Sequence, residues 1–391
     1  MADKKKLLFV INNLQTGGVQ TSLINLINEI HDKYEITVLS FAFKKEYCDI
    51  FPENINIIGL KSPYKYLGFS QGELKNHQWF YINRAAWAML IRVVGRSRVI
   101  PLMNIFQRKI GSFDCAISYL HECPQKNTYG GCNEFVLKRV KAKKKITWLH
   151  CDFELCGANN AFSKSIYSKF DTIVACSEGT RASFVKCLPE LADKCKSLRN
   201  CNNYEKIKEL SKCAFMYDEE YLNIVTVARL AEEKGIERAI YAVNQCINKG
   251  YKVKYHIIGS GDQEKVLKNL VKENGLSDDT VIFYGNQTNP YRYIVNADLF
   301  LLPSYHEAAP MVFDEAACLG VPVIATQTTS TDEMIIKSGN GIVCENSLEG
   351  ITKAMEKVLS NPRLLNEIKH TLQNKEFNNA EIIANFDKII F

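Results

Sequence analysis

Two carboxylates, Glu307 and Glu315, stand eight positions apart around a proline in Glu307-Ala-Ala-Pro310-Met-Val-Phe-Asp-Glu315. Just upstream lies the apolar run Ala297-Asp-Leu-Phe-Leu-Leu-Pro303, which reads as a strand. An open α/β sheet binds its ligands beyond its strand ends, so Glu307 is a candidate ligand-binding residue. The backbone between the two acids should open a helix, whose free N–H groups and dipole favour anionic groups. Eight residues is a little over two helical turns, so both acids can face one cleft. Two acids beside an anion site suit a ligand with a phosphate in its middle and hydroxyls at both ends. A nucleotide-sugar is such a ligand.

Other motifs precede this pair. Asn223-Ile-Val-Thr-Val-Ala-Arg229-Leu-Ala-Glu-Glu-Lys234-Gly235 reads as a strand and then a turn carrying Arg229 and Lys234 before a helix. Tyr255-His-Ile-Ile-Gly259-Ser-Gly261-Asp262 reads as a strand ending in a glycine turn, and Val281-Ile-Phe-Tyr runs into Gly285-Asn286-Gln287. With Glu307 and Glu315, this order of motifs resembles the nucleotide-sugar half of family-4 glycosyltransferases, retaining enzymes of GT-B fold. The resemblance covers most of residues 221–345. It implies that Arg229 and Lys234 hold the donor diphosphate, Glu307 the sugar hydroxyls and Glu315 the ribose. Gly259, Gly261, Asn286, Gln287 and the segment Ala309, Pro310 and Met311 then line the donor. The family usually has glycine after its first Glu, whereas this chain has Ala308, whose methyl tightens the approach of backbone to donor.

The first half starts with the apolar run Lys6-Leu-Leu-Phe-Val-Ile-Asn12, typical of a buried parallel strand. Gly17 and Gly18 follow, ahead of a helical pattern from Thr21, so backbone N–H groups and a helix N-terminus can approach a ligand there. Alternating strand and helix patterns make a parallel α/β sheet the economical reading. Lys145-Ile-Thr-Trp148-Leu-His150-Cys-Asp152-Phe153 is a strand ending in a histidine and an aspartate. The resemblance sets His150 beside the reactive end of the donor sugar and the Gly17–Gly18 loop near the diphosphate. Asp152 is a candidate to orient the acceptor. Ser177 reads as the cap of the next helix.

At 391 residues and 46% hydrophobic content, the chain can build two cores. The implied architecture is α/β: two Rossmann-like domains facing across a cleft. Residues 1–200 form the acceptor-binding domain and 201–375 the nucleotide-sugar domain, and a helix at 376–391 crosses back to the first. No apolar run of about 20 residues and no secretory pattern appears, and the fourteen cysteines lack metal-ligand spacing, so reduced thiols and a cytoplasmic location are expected. No Asp-x-Asp occurs, and no metal is expected, since basic residues and helix ends can hold a diphosphate.

From Lys75 to Phe113 there is no acid, while Arg84, Arg92, Arg96, Arg98, Arg108 and Lys109 alternate with Trp79, Phe80, Tyr81 and Trp87. This suits helices lying on an anionic lipid surface, with residues 138–145 adding to the same face. The net charge of +6 is modest and no nucleic-acid motif is present, so nucleic acid is not an expected partner. The expected activity is transfer of a hexose or N-acetylhexosamine from a nucleotide-sugar, UDP-linked rather than GDP-mannose. The acceptor is a saccharide or lipid-linked saccharide of bacterial surface polysaccharide. A GT-B-fold nucleotide-sugar epimerase, or a non-catalytic nucleotide-sugar-binding subunit of a membrane assembly complex, would use the same donor residues.

Overall fold

A computed structural model of the protein describes residues 4–15, 17–69, 72–74 and 77–391. The chain divides into two units, residues 1–201 with 379–391, and residues 202–378.

In the first unit, seven strands form a parallel sheet: β1 (Lys6–Asn13), β2 (Glu35–Ala42), β3 (Asn56–Gly59), β4 (Ile110–Ser118), β5 (Val140–Leu149), β6 (Thr172–Ala175) and β7 (Cys195–Ser197). Their order is β3-β2-β1-β4-β5-β6-β7, so the winding reverses between β1 and β4. The register pairs Leu8 with both Thr37 and Ala116, and Ser118 with Thr147. β1 is buried along all but its first residue because helices cover both faces of the sheet, which is why its sequence is continuously apolar. Leu7, Phe9 and Ile11 enter one core, and Leu8 and Val10 enter the other.

The last helix packs on the first of these cores. It spans Ala380–Ile390, shorter than the sequence expectation of 376–391, because Asn378 and Asn379 are poor helix formers and Asn379 Nδ2 instead donates to Glu29 Oε1 at 2.6 Å. Phe386 stacks on Phe9 with ring centroids 6.5 Å apart, and Tyr34 Oη donates to Asp387 Oδ1.

The second unit repeats the plan with six parallel strands: β8 (Leu222–Val227), β9 (Val253–Ile258), β10 (Val281–Gly285), β11 (Leu299–Leu302), β12 (Val323–Thr326) and β13 (Gly341–Cys344). Their order is β10-β9-β8-β11-β12-β13, and the reversal lies between β8 and β11.

The basic segment forms two helices, Gln78–Val94 and Arg96–Ile105; Lys75 lies outside the described residues. One of its arginines departs from the expected headgroup role. Arg96 is buried, with its guanidinium against Glu122 (3.7 Å) and Glu134 (3.2 Å), and it donates to Tyr129 O. A buried cation needs counter-charges, and Glu122 and Glu134 supply them. Residues 138–145 are the end of one helix and the start of β5; Lys138, Lys141 and Lys143 are exposed, Lys143 pairs with Asp114, and Lys144 and Lys145 donate to backbone carbonyls. No helix among the described residues is long and apolar enough to cross a membrane.

Candidate functional site

The clearest constellation stands at the carboxyl ends of β8 and β11, the two strands at the reversal of the second sheet. After β8 the chain turns through Arg229 and a single 3-10 turn, Glu232–Lys234, into the helix Ile236–Asn248. Gly235 makes this turn with φ +60°, and a Cβ there would meet Pro303 O at 2.3 Å, so only glycine fits. After β11 the chain runs through Pro303 and Ser304 to Glu307. Tyr305 N donates to Glu233 O at 2.9 Å, fastening the two loops together.

Lys234 Nζ donates to Glu307 Oε1 at 2.6 Å, and Ser304 Oγ donates to the same oxygen at 2.7 Å. Both side chains are mostly shielded from solvent, which strengthens a charge-assisted bond. Arg229, by contrast, is largely exposed and pairs with Glu233 four positions on. A cation and an acid held together at a strand-end crevice can divide between a phosphate and a hydroxyl of one ligand.

Glu315 has a different setting. The helix that carries it, Val312–Cys318, begins five residues after Glu307, so the two acids are not spaced along one helix as the sequence arithmetic assumed. Pro310 has no N–H to contribute at its start. Glu315 is buried, and that burial, with the neighbouring Asp314 charge, pushes its carboxyl up to about 7, while Tyr291 acts in the opposite sense. Ala309 packs with the apolar cluster beneath, and Met311 is buried.

The glycine turn after β9 lies against the β8 loop. Leu230 N donates to Ser260 O at 2.9 Å, and a Cβ on Gly259 (φ +139°) would strike Ala228 O at 1.9 Å. Gly261 approaches Leu230 O as closely, 2.1 Å for the same construction. These glycines let two strand-end loops nest. Asn286 is exposed, whereas Gln287 Nε2 is committed to Tyr284 O at 2.7 Å.

Two further residues of this unit escaped the sequence reading. Arg238 is buried; it donates to Pro303 O and, at 2.7 Å, to Asn346 Oδ1, and its guanidinium lies 3.7 Å from the centre of the Tyr305 ring. It therefore fixes the segment that leads to Glu307. His256 is clamped between Tyr284 Oη (3.0 Å) and Asn223 Oδ1 (3.1 Å), and burial pushes it down to about 4, so it is a neutral structural histidine.

In the first unit, Gly17 precedes and Gly18 opens the helix Gly18–Ile30, which has no acid in its first turn and no side-chain cap, while Thr16 lies outside the described residues. A Cβ on Gly18 would meet nothing within 4 Å, so its surroundings are open. His150 follows β5 with its ring 4.7 Å from Tyr119 and parallel to Trp148. Its Nε2 is buried without a protein partner. Burial, and then the charge of His121, hold it well below the usual imidazole range. His121 was not singled out in the sequence. It follows β4 as His150 follows β5, the neighbouring strand, and lies near enough for its charge to act on His150. Its Nδ1 is also buried without a partner, and burial and then Arg96 push it down to about 4. Its signal was its place just beyond an apolar run, the same signal that marked His150.

Asp152 closes its own loop: Oδ1 accepts from Glu154 N (3.0 Å), Leu155 N (3.3 Å) and Ser183 Oγ (2.7 Å). Ser177 caps the helix Glu178–Cys187 by accepting from Thr180 N at 2.9 Å.

Residues 209–375 match the family of glycosyl transferases group 1. The second unit is thus similar over most of its length to the group 1 glycosyltransferases. An uncharacterized glycosyltransferase of Haemophilus influenzae is 25% identical over 99% of this chain and all of its own length. The amylovoran biosynthesis glycosyltransferase AmsK of Erwinia amylovora is 33% identical over 35% of each chain. Among solved structures, Anabaena Alr3699/HepE, determined in complex with UDP, superimposes with a TM-score of 0.67 at 16% identity, covering 98% of both chains. The two Rossmann-like units therefore have the GT-B fold.

Proposed function

We propose that this protein is a glycosyltransferase that moves a hexose or N-acetylhexosamine from a nucleotide-sugar to a hydroxyl of a saccharide or lipid-linked saccharide, in bacterial surface polysaccharide synthesis at the cytoplasmic face of the membrane. The observation that carries this reading is the Lys234–Glu307 pair at the β8/β11 reversal. AmsK, named for amylovoran biosynthesis, supports the polysaccharide setting. HepE, solved with UDP, supports a UDP-sugar over GDP-mannose.

Lys234 and Arg229 hold the diphosphate, and on donor binding Glu307 exchanges its lysine for hydroxyls of the sugar. Glu315 accepts from the ribose, with Gly259, Gly261, Asn286 and Gln287 around the base and phosphates. The segment Ala309, Pro310 and Met311 lies along the donor. In the first unit, the Gly17–Gly18 loop approaches the diphosphate, and the neutral rings of His121 and His150 take sugar hydroxyls. Asp152 keeps the loop after His150 in place for the acceptor. No metal is required in this scheme.

The bond from the anomeric carbon to the phosphate breaks, and a bond to the acceptor oxygen forms on the same face. The acceptor proton passes to the departing phosphate. Fixed cations are effective here because negative charge grows on the leaving group, and loss of one such donor typically costs about 10²–10³ in rate.

The test is nucleotide release from a panel of UDP- and GDP-sugars, with product analysis in the presence and absence of saccharide acceptors. Release from one donor, abolished in Lys234→Ala and Glu307→Ala, is expected. Conversion of the donor sugar without an acceptor would identify an epimerase instead. Donor binding with no turnover across acceptors would identify a binding subunit.

A further inference from the structure

The helices Gln78–Val94 and Arg96–Ile105 of the first unit carry apolar side chains on both of their faces. On the first helix, Ala88 and Ile91 are buried, and Trp87 packs on the core beneath the sheet. On the opposite side, Trp79 (73% exposed), Ile82, Met89 (68%) and Val93 (74%) point to solvent. With Ala86 these residues recur at intervals of three and four, so they form one stripe along the helix. The second helix and its end continue the pattern with exposed Leu102, Ile105 (72%) and Phe106. Side chains this large rarely stay in water as a contiguous surface without something to cover them.

The charges around the stripe choose the cover. Arg92, Arg98, Arg108 and Lys109 are exposed, and no acid occurs between residues 77 and 113. The acids that flank the segment, Glu73 and Asp114, are engaged by Lys44 and Lys143, each at 2.7 Å. The surface thus offers apolar groups and cations without a competing carboxylate. We propose that this face docks on an anionic lipid bilayer, with Trp79, Ile82, Met89, Val93, Ile105 and Phe106 seated among the acyl chains and the four cations at the phosphates. Long basic side chains can reach back to headgroups from such a position. This deepens the proposed function, and rests on it, only in that it names the surface bringing the enzyme to a lipid-linked acceptor.

Vesicle flotation tests it without any catalytic turnover, so its failure is distinct from failure of the transferase reading. The full chain is mixed with phosphatidylglycerol/phosphatidylcholine vesicles and, separately, with phosphatidylcholine alone. The expected result is flotation with the anionic vesicles only, weakened as salt rises. The triple variant Trp79→Ser/Met89→Ser/Val93→Ser should abolish flotation. Arg92→Gln/Arg98→Gln should weaken binding by about fivefold per charge. Val266→Ser, at an exposed apolar position of the second unit, should bind like the parent and keep the comparison matched. Absence of flotation, or flotation that the triple variant retains, overturns the proposal. So does a parent dimer in sedimentation that the triple variant splits to monomers without any vesicle binding, since the stripe would then belong to a second copy of the chain.

Discussion

The two sheets are wound on one plan, yet their strand-end rims carry different chemistry. In the second unit, the ends of β8 and β11 present a lysine bound to a carboxylate, with an exposed arginine beside them. In the first unit, the ends of β4 and β5 present two partly buried imidazoles that are uncharged at neutral pH. The same topology thus supplies a charged rim in one unit and a neutral one in the other. Phosphates need fixed positive charge, while sugar hydroxyls are satisfied by neutral groups that can donate or accept according to tautomer.

The largest expected effect comes from the charge hidden beneath the neutral rim. Arg96 balances the buried Glu122 and Glu134, and burial followed by Glu134 raises the Glu122 carboxyl. Arg96→Leu would leave two acids without their cation, and chemical denaturation should show a loss of about 3–5 kcal/mol. Retained stability would mean that the acids are already neutral and that Arg96 contributes little.

Slightly smaller is the expected cost of breaking the charged rim. Lys234→Ala should lower kcat by about 10²–10³ while leaving the thermal midpoint nearly unchanged, because the lysine serves the ligand more than the fold. Arg238→Ala should also lower activity, though by releasing Pro303–Tyr305, and its midpoint should fall as well; a change in only one of the two would separate positioning from folding.

Glu315 sharpens the comparison through pH. Its folded carboxyl titrates near 7, above its unfolded value of 4.5, so the folded state holds the extra proton between these limits. Its contribution to stability is fully present below the unfolded value and is lost as pH rises towards 7, by at most about 3 kcal/mol. Glu315→Gln should remove that slope and raise the midpoint at pH 8, while weakening nucleotide binding through loss of the ribose acceptor. A slope unchanged by the substitution would assign the titration to another group.

The smallest effect belongs to a single neutral hydrogen bond. His121→Gln should reduce turnover about fivefold, as expected for one hydrogen bond to a neutral hydroxyl of about 1 kcal/mol, and shift KM for the acceptor or donor sugar more than the thermal midpoint.

Much of this was legible in the residues. The apolar runs marked β1, β5, β8, β9 and β11, because a strand buried on both faces has no polar side to alternate with. Arg229, Lys234 and Glu307 could be found because each follows such a run within a few residues. Arg238 and His121 could not be ranked that way. Arg238 lies in a helix whose pattern explains it as an ordinary turn residue, and only the chain returning from β11 supplies Pro303 O. His121 gains significance from its nearness to His150 at the end of the neighbouring strand, a non-local fact. Arg96 was misread for the same reason: its counter-charges, Glu122 and Glu134, are 26 and 38 positions away, so composition could not tell a buried cation from a surface one.

The most direct test of the contrast between the two rims is calorimetric titration of UDP into the parent, Lys234→Ala and His121→Gln/His150→Gln. The charged rim should hold the diphosphate alone, so Lys234→Ala should lose UDP binding while the double histidine variant binds UDP like the parent and fails only in sugar transfer. Equal loss of UDP binding in the histidine variant, or full binding in Lys234→Ala, would contradict the division of labour.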